Sequence, residues 1–167
     1  MKKQTLIFVF LIVLSLLSPG ANSLPDTSPV KVDLATSTAK PTVGKPFWVA
    51  LKFTLEPGWH VYAPDTTKMG QPISIDWTLP TGLKLIQAVW PPSIQKEHDS
   101  LVSSVYEQSF WMLAKMVLEK PFSPADSILK ADVSWVACQD VCKPDATILS
   151  LDLSKPHSLT TPEELNI

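Results

Sequence analysis

The chain has 167 residues, with 14 lysines, no arginine and 16 acidic residues, for a formal net charge of −2. The lysines are scattered, so a basic patch for nucleic acid is not supported. There is no glycine-rich phosphate loop, no G-x-S-x-G elbow and no clustered carboxylate–histidine pattern, which argues against phosphate-handling and hydrolytic enzymes.

The first residues read as a secretory signal peptide. Lys2 and Lys3 form a charged start, Leu6 to Leu17 is apolar except for Ser15, and Pro19-Gly20 precedes Ala21-Asn22-Ser23, a small-x-small cleavage pattern. The apolar run is too short for a membrane span, and no second run of about 20 apolar residues follows. Cleavage after Ser23 would take the net charge from −2 to −4. It would leave about 144 residues, enough for one domain with a real core. Residues 24–154 are expected to form that domain, and the polar residues 155–167 a loose tail.

Within the domain, short β-type runs alternate with turn signals. Val30 to Ala35 alternates and reads as a strand. Phe47 to Leu55 places Phe47, Val49, Leu51 and Phe53 on one face and Trp48, Lys52 and Thr54 on the other, the pattern of a half-buried strand. Trp59 to Ala63 is a short aromatic strand, and Thr66 to Gln71 an exposed loop. Pro72 to Leu79 carries Ile73, Ile75 and Trp77 on one face. Leu83 to Trp90 is another strand, stopped by Pro91-Pro92. Ser93 to Ser104 is polar and charged, and is expected to be a loop of about a dozen residues, long enough for a functional role. Val105 to Leu118 is expected to be one strand, because its β-branched and aromatic content outweighs a helical reading. Ser127 to Ala137 and Asp145 to Leu153 complete the set. About eight strands and no amphipathic helix predict an all-β, antiparallel sandwich of immunoglobulin-like type.

The only two cysteines, Cys138 and Cys142, lie late in the chain with three residues between them. Extended, that segment would hold their Cα atoms about 13 Å apart at roughly 3.3 Å per residue. A disulfide needs about 4.4–6.8 Å. Gln139-Asp140 and Pro144 favour a turn, so Cys138 is read as the end of one strand and Cys142 as the start of the return. As a staple the pair would contribute about 2 kcal/mol at most, less if the two strands already close the loop. Exported cysteine pairs are usually oxidised, and a redox-active pair would need an electron supply.

A family resemblance rests on several stretches in order: Pro57-Gly-Trp-His-Val-Tyr62, Pro72-Ile-Ser-Ile-Asp-Trp-Thr-Leu-Pro-Thr-Gly82, Val89-Trp-Pro91, Val105-Tyr-Glu107 and Ala131-Asp-Val-Ser-Trp-Val-Ala-Cys-Gln-Asp-Val-Cys142. Together they resemble the N-terminal periplasmic domain of the thiol:disulfide interchange protein DsbD and its relative ScsB, over about residues 28–153. The resemblance implies an immunoglobulin-like fold with Cys138 and Cys142 as the redox pair. It implies electrons taken from a membrane-embedded thiol reductase and passed to oxidised periplasmic proteins such as disulfide isomerases. It also places a shielding cap loop at Ser103 to Glu107, with Tyr106 as its leading residue and Val105 second, so that Tyr106→Ala should speed alkylation of the reduced pair. The cysteine spacing is shorter than in the DsbD branch and nearer the ScsB-like branch. With the chain ending at Ile167, the electron donor is expected to be a separate polypeptide. No cofactor or metal is implied.

The residues leave other readings open. Cys138 could be the buried sulfur and Cys142 the attacking one; Asp140 disfavours a thiolate and Lys143 favours it. Auxiliary candidates in addition to the pair are His60, as a proton shuttle or a metal ligand if it is not simply a strand residue, Tyr62, as core or rim, and Asp140; Trp59 and Trp135 read as core. Cysteines at this spacing followed by proline also resemble copper-delivery proteins of the Sco type, and Met69, Met112 and Met116 could serve copper. Those proteins have a thioredoxin fold, with their cysteines early and before a helix. The last alternative is an extracytoplasmic immunoglobulin-like binding module with a structural disulfide.

Overall fold

The computed structural model describes residues 28–66, 70–98, 100–123 and 125–156. The expected signal peptide, residues 1–23, lies outside them, as do Met69 and most of the expected tail. The described residues contain ten strands and no helix: β1 (Val30–Thr36), β2 (Pro46–Leu55), β3 (His60–Tyr62), β4 (Ser74–Thr78), β5 (Leu83–Val89), β6 (Ile94–His98), β7 (Leu101–Tyr106), β8 (Phe110–Leu118), β9 (Ile128–Cys138) and β10 (Cys142–Asp152).

They form two antiparallel sheets, an immunoglobulin-like sandwich. One sheet runs β1-β2-β8-β5; the other runs β10-β9-β3-β7-β6, with β4 also paired to β9. The alternation in β2 sorts as its sequence dictates: Phe47, Val49, Leu51 and Phe53 are buried. On β9, Leu129, Ala131, Val133, Trp135 and Ala137 supply the facing layer of the same core. Phe53 joins the layers. Its ring stacks on Phe110 at 4.7 Å and meets Trp135 edge-on at 6.5 Å.

Three expectations need correction. Ser93 to Ser104 is a β-hairpin, β6 and β7, rather than a loop; Ile94 pairs with Val105 and Lys96 with Ser103. Its apolar residues Ile94, Leu101 and Val102 are exposed, so no buried stripe marked it, and a backbone ladder forms without one. The charged Lys96 and Glu97 suit an edge strand, where they discourage pairing with another chain. Val105 to Leu118 is two strands, broken at Glu107–Ser109 where the chain crosses between sheets. The Ser109 hydroxyl there accepts a hydrogen bond from the Leu55 amide at 3.2 Å. Pro144 lies inside β10, opposite Val136. It is tolerated because β10 is an edge strand, where a missing N–H can face solvent.

Candidate functional site

The cysteines sit at the tip of the β9–β10 hairpin. Cys138 ends β9, Cys142 begins β10, and the two are direct cross-strand partners. Gln139 to Val141 make the turn, in which the Gln139 amide donates to the Val141 carbonyl at 3.1 Å. The turn brings the two Cα atoms to 4.1 Å and the sulfurs form a disulfide. The turn reached from spacing and composition is therefore present, although Pro144 belongs to the strand that follows. The two cysteines differ in exposure. Cys138 is 3% exposed, whereas Cys142 is exposed beside Val141, which is 62% exposed.

Alternation along β9 decides which side the pair faces. Trp135 and Ala137 point into the core, so Val136 and Cys138 point to the outer face of the sheet. On β3, His60 lies opposite Cys138 while Val61 lies opposite Ala137. Cys142, Cys138 and His60 therefore form a row across three strands. In the next row Tyr62 lies opposite Val105, which lies opposite Ile94. A cleft of about 680 Å³ on this face is lined by both cysteines, His60, Tyr62, Val105 and Asp140. Tyr62, Val105 and Cys138 form a small buried cluster backed by Val136.

Tyr106 is a correction. It lies opposite Val61 and belongs to the core. Its ring packs on Phe110 at 4.1 Å and its hydroxyl donates to the Pro91 carbonyl at 3.0 Å. Burial pushes its phenol up to about 12, with Asp65 adding to the effect. One step of alternation separates it from Val105, and that step puts Val105, not Tyr106, on the face of the disulfide. The aromatic residue clustered with Cys138 on this face, and lining the cleft with it, is Tyr62. Gly70 lies close against its ring: Gly70 has φ +89°, and a Cβ there would clash with the Tyr62 side chain. With this arrangement, Tyr62→Ala is expected to raise the alkylation rate of reduced Cys138 about tenfold by opening its access. Tyr106→Phe should leave that rate unchanged. Mass-spectrometric counting of label at each cysteine checks both, and equal responses from the two variants would contradict the assignment.

His60 is 9% exposed. Its ring meets Tyr62 edge-on at 5.6 Å. Its Nδ1 is buried and has no hydrogen-bond partner. Burial lowers its pKa below the usual histidine value, and the Lys96 charge lowers it further while Glu107 opposes. Lys96 and Glu107 are themselves paired, Nζ to Oε1 at 2.7 Å, and the hydrogen bond from Lys96 is the main cause that lowers the Glu107 pKa. Asp140 is exposed in the turn. Lys143 lies 5.8 Å over the half-buried Trp59 ring. Trp135, Met112 and Met116 are core residues. Among the described residues no three His, Cys, Asp or Glu side chains gather as a metal site, and the sandwich is not the thioredoxin fold of the Sco comparison.

Sequence reasoning missed Gly70, Val136 and Lys96 as parts of this site. Gly70 alone carried a signal, as a glycine in a loop directly after an aromatic strand. The other two are placed by strand register.

The family model described as Thiol:disulfide interchange protein DsbD, N-terminal, matches residues 26–154. The fold is similar to the crystal structure of the N-terminal periplasmic domain of ScsB from Proteus mirabilis. That match has 18% sequence identity and a TM-score of 0.60, and covers 80% of this chain and 50% of that one. The chain thus spans about half the length of that solved structure. No curated protein matches it.

Proposed function

Because this chain belongs to the DsbD N-terminal domain family, we propose that its thiol–disulfide interchange runs as an electron relay through Cys138 and Cys142. The donor in this reading is a membrane-embedded thiol reductase. The acceptor is an oxidised exported protein, of which a periplasmic disulfide isomerase is the type. The chain itself works in the periplasm, exported by residues 1–23 as a cleaved signal peptide, and residues 24–154 are the working domain. Its activity is that of a protein-disulfide reductase.

One observation carries the reading. The pair joins an exposed cysteine to a buried one, and both line a cleft. Exchange needs an attacking thiolate that can approach a foreign disulfide, and a second thiol close enough to resolve the mixed disulfide. Cys142 has the access and Cys138 the proximity. Tyr62 and Val105 over Cys138 keep stray thiols and oxidants from the resolving sulfur, while Cys142 stays open to a partner protein. A purely structural bridge has little to add here, since the β9–β10 ladder already closes the turn.

The test is the reduction potential of the Cys138–Cys142 couple, measured by thiol trapping of the folded protein in graded redox buffers. The expected value lies between roughly −120 and −270 mV, the range of exchange proteins, whereas structural disulfides fall below about −300 mV. A value below −300 mV would make the pair a staple and favour a binding module instead.

A further inference from the structure

We propose that His60 carries the proton of the resolving thiol, taking it from Cys138 and delivering it to the sulfur that leaves. The inference rests on the exchange reading above and adds a catalytic group to it.

The geometry singles out this histidine. His60 is the direct cross-strand partner of Cys138, on the side away from Cys142. Directly opposed residues hold their Cβ atoms about 4.5–5.5 Å apart. That spacing lets an imidazole Nδ1, two bonds from its Cβ, meet a sulfur one bond from its own. Two buried side-chain polar atoms among the described residues have no hydrogen-bond partner, His60 Nδ1 and Trp135 Nε1. The indole nitrogen can only donate, and it lies on the core side of β9. His60 Nδ1 can accept when the ring carries its proton on Nε2, and His60 is one of the residues that line the cleft of the cysteines. An unpaired buried acceptor is costly. Reduction of the disulfide would supply the missing donor, the thiol of Cys138.

The chemistry balances without any further reagent. Cys142 first opens the partner's disulfide, giving a mixed disulfide and one partner thiol. In the second step Cys138 Sγ bonds to Cys142 Sγ and the bond from Cys142 Sγ to the partner sulfur breaks. The Cys138 proton passes to His60 Nδ1 and from there to the departing sulfur. This chain loses two electrons and the partner's disulfide becomes two thiols. The reverse reaction uses the same groups in reverse order. The charged and titratable groups around His60 are Lys96 from β6, Glu107 following β7, Tyr62 on its own strand and Asp140 in the cysteine turn. Burial, and after it Lys96, disfavours the imidazolium, while Glu107 favours it.

The experiment uses the reduced chain and an equimolar aromatic disulfide, dithiobis(nitrobenzoate), whose released thiolate is coloured. Attack by Cys142 gives a phase that depends on reagent concentration. Closure by Cys138 gives a second phase that does not. His60→Gln is expected to slow the second phase at pH 7 by about tenfold or more and to move its acid limb up to the titration of the Cys138 thiol itself, while the first phase changes by less than about twofold. A second phase with unchanged rate and pH profile overturns the role of His60 and leaves the exchange reading standing. Release of only one coloured thiolate per unaltered chain, with no closure to the Cys138–Cys142 disulfide, overturns the exchange reading, and this inference with it. The unaltered chain also gives a test that needs no variant. The acid limb of the second phase should coincide with the imidazole titration of His60 followed by NMR, and a limb that titrates elsewhere overturns the assignment.

Discussion

Cys142→Ser is expected to slow reaction of the reduced chain with a protein disulfide by about 100-fold or more, while Cys138→Ser keeps the first attack and stops at the mixed disulfide. The asymmetry follows from access alone. Thiol–disulfide exchange needs the attacking sulfur in line with the bond it breaks, so a sulfur that cannot be approached cannot react at speed. Cys142 is exposed at the first position of an edge strand. Cys138 is 3% exposed, packed with Tyr62 and Val105. Neither variant should unfold. The bridge closes a loop worth about 2 kcal/mol at most by chain entropy, and the ladder that runs from Cys138–Cys142 to Ile128–Asp152 closes the same loop without it. Gel trapping of the mixed disulfide with an oxidised model protein, timed for each variant, is the measurement. Comparable rates for the two serine variants would contradict the division into an attacking and a resolving sulfur.

The difference in burial between Cys138 and Cys142 was partly legible in the sequence. An apolar β-run entering Cys138 and a polar turn after it were enough to expect a hairpin and a buried first sulfur. Strands whose one face is core were legible for the same reason: Phe47, Val49, Leu51 and Phe53 announce their side by period. Where both faces are wet the signal vanishes. β6 carries Gln95, Lys96 and Glu97 and exposes Ile94, so its residues read as a loop although its backbone is fully engaged with β7. Proline was misleading at Pro144, because whether a proline ends a strand or sits in one depends on whether the strand is an edge, which is a fact about the whole sheet. The cap went astray by one residue. Val105 and Tyr106 are adjacent, and only the pairing of β7 with β3 decides which faces the cysteines. The row Cys142–Cys138–His60 is of the same kind. Register between β3 and β9 joins residues far apart in the chain, and no local pattern encodes it.

The same registers tie the site to the core, and Phe53→Ala is expected to show it. Phe53 is fully buried. Its ring stacks on Phe110 within 5° of parallel and meets Trp135 nearly at right angles. Removing a buried phenylalanine costs about 3–5 kcal/mol, the lost transfer energy plus the cavity left behind. Against a total stability of about 5–15 kcal/mol that is a large fraction, and the melting temperature should fall by roughly 10–20 °C. Phe53→Leu, which keeps most of the volume, should cost markedly less. The site feels the change through β9. Trp135 is on the core side of that strand, and Cys138 follows three residues later on the outer side. A cavity under Trp135 lets the end of β9 loosen, and Cys138 loses its cover from Tyr62 and Val105. Alkylation of reduced Cys138 should therefore accelerate in Phe53→Ala, even well below the melting temperature, while that of the already open Cys142 stays as it was. Thermal unfolding by circular dichroism and site-resolved alkylation check the two halves separately. A normal melting temperature would mean that Phe53 does not join the two layers. A lowered one with Cys138 still sealed would mean that the cover over the resolving sulfur is held from the cleft side, by Gly70 and Tyr62, and not by the core.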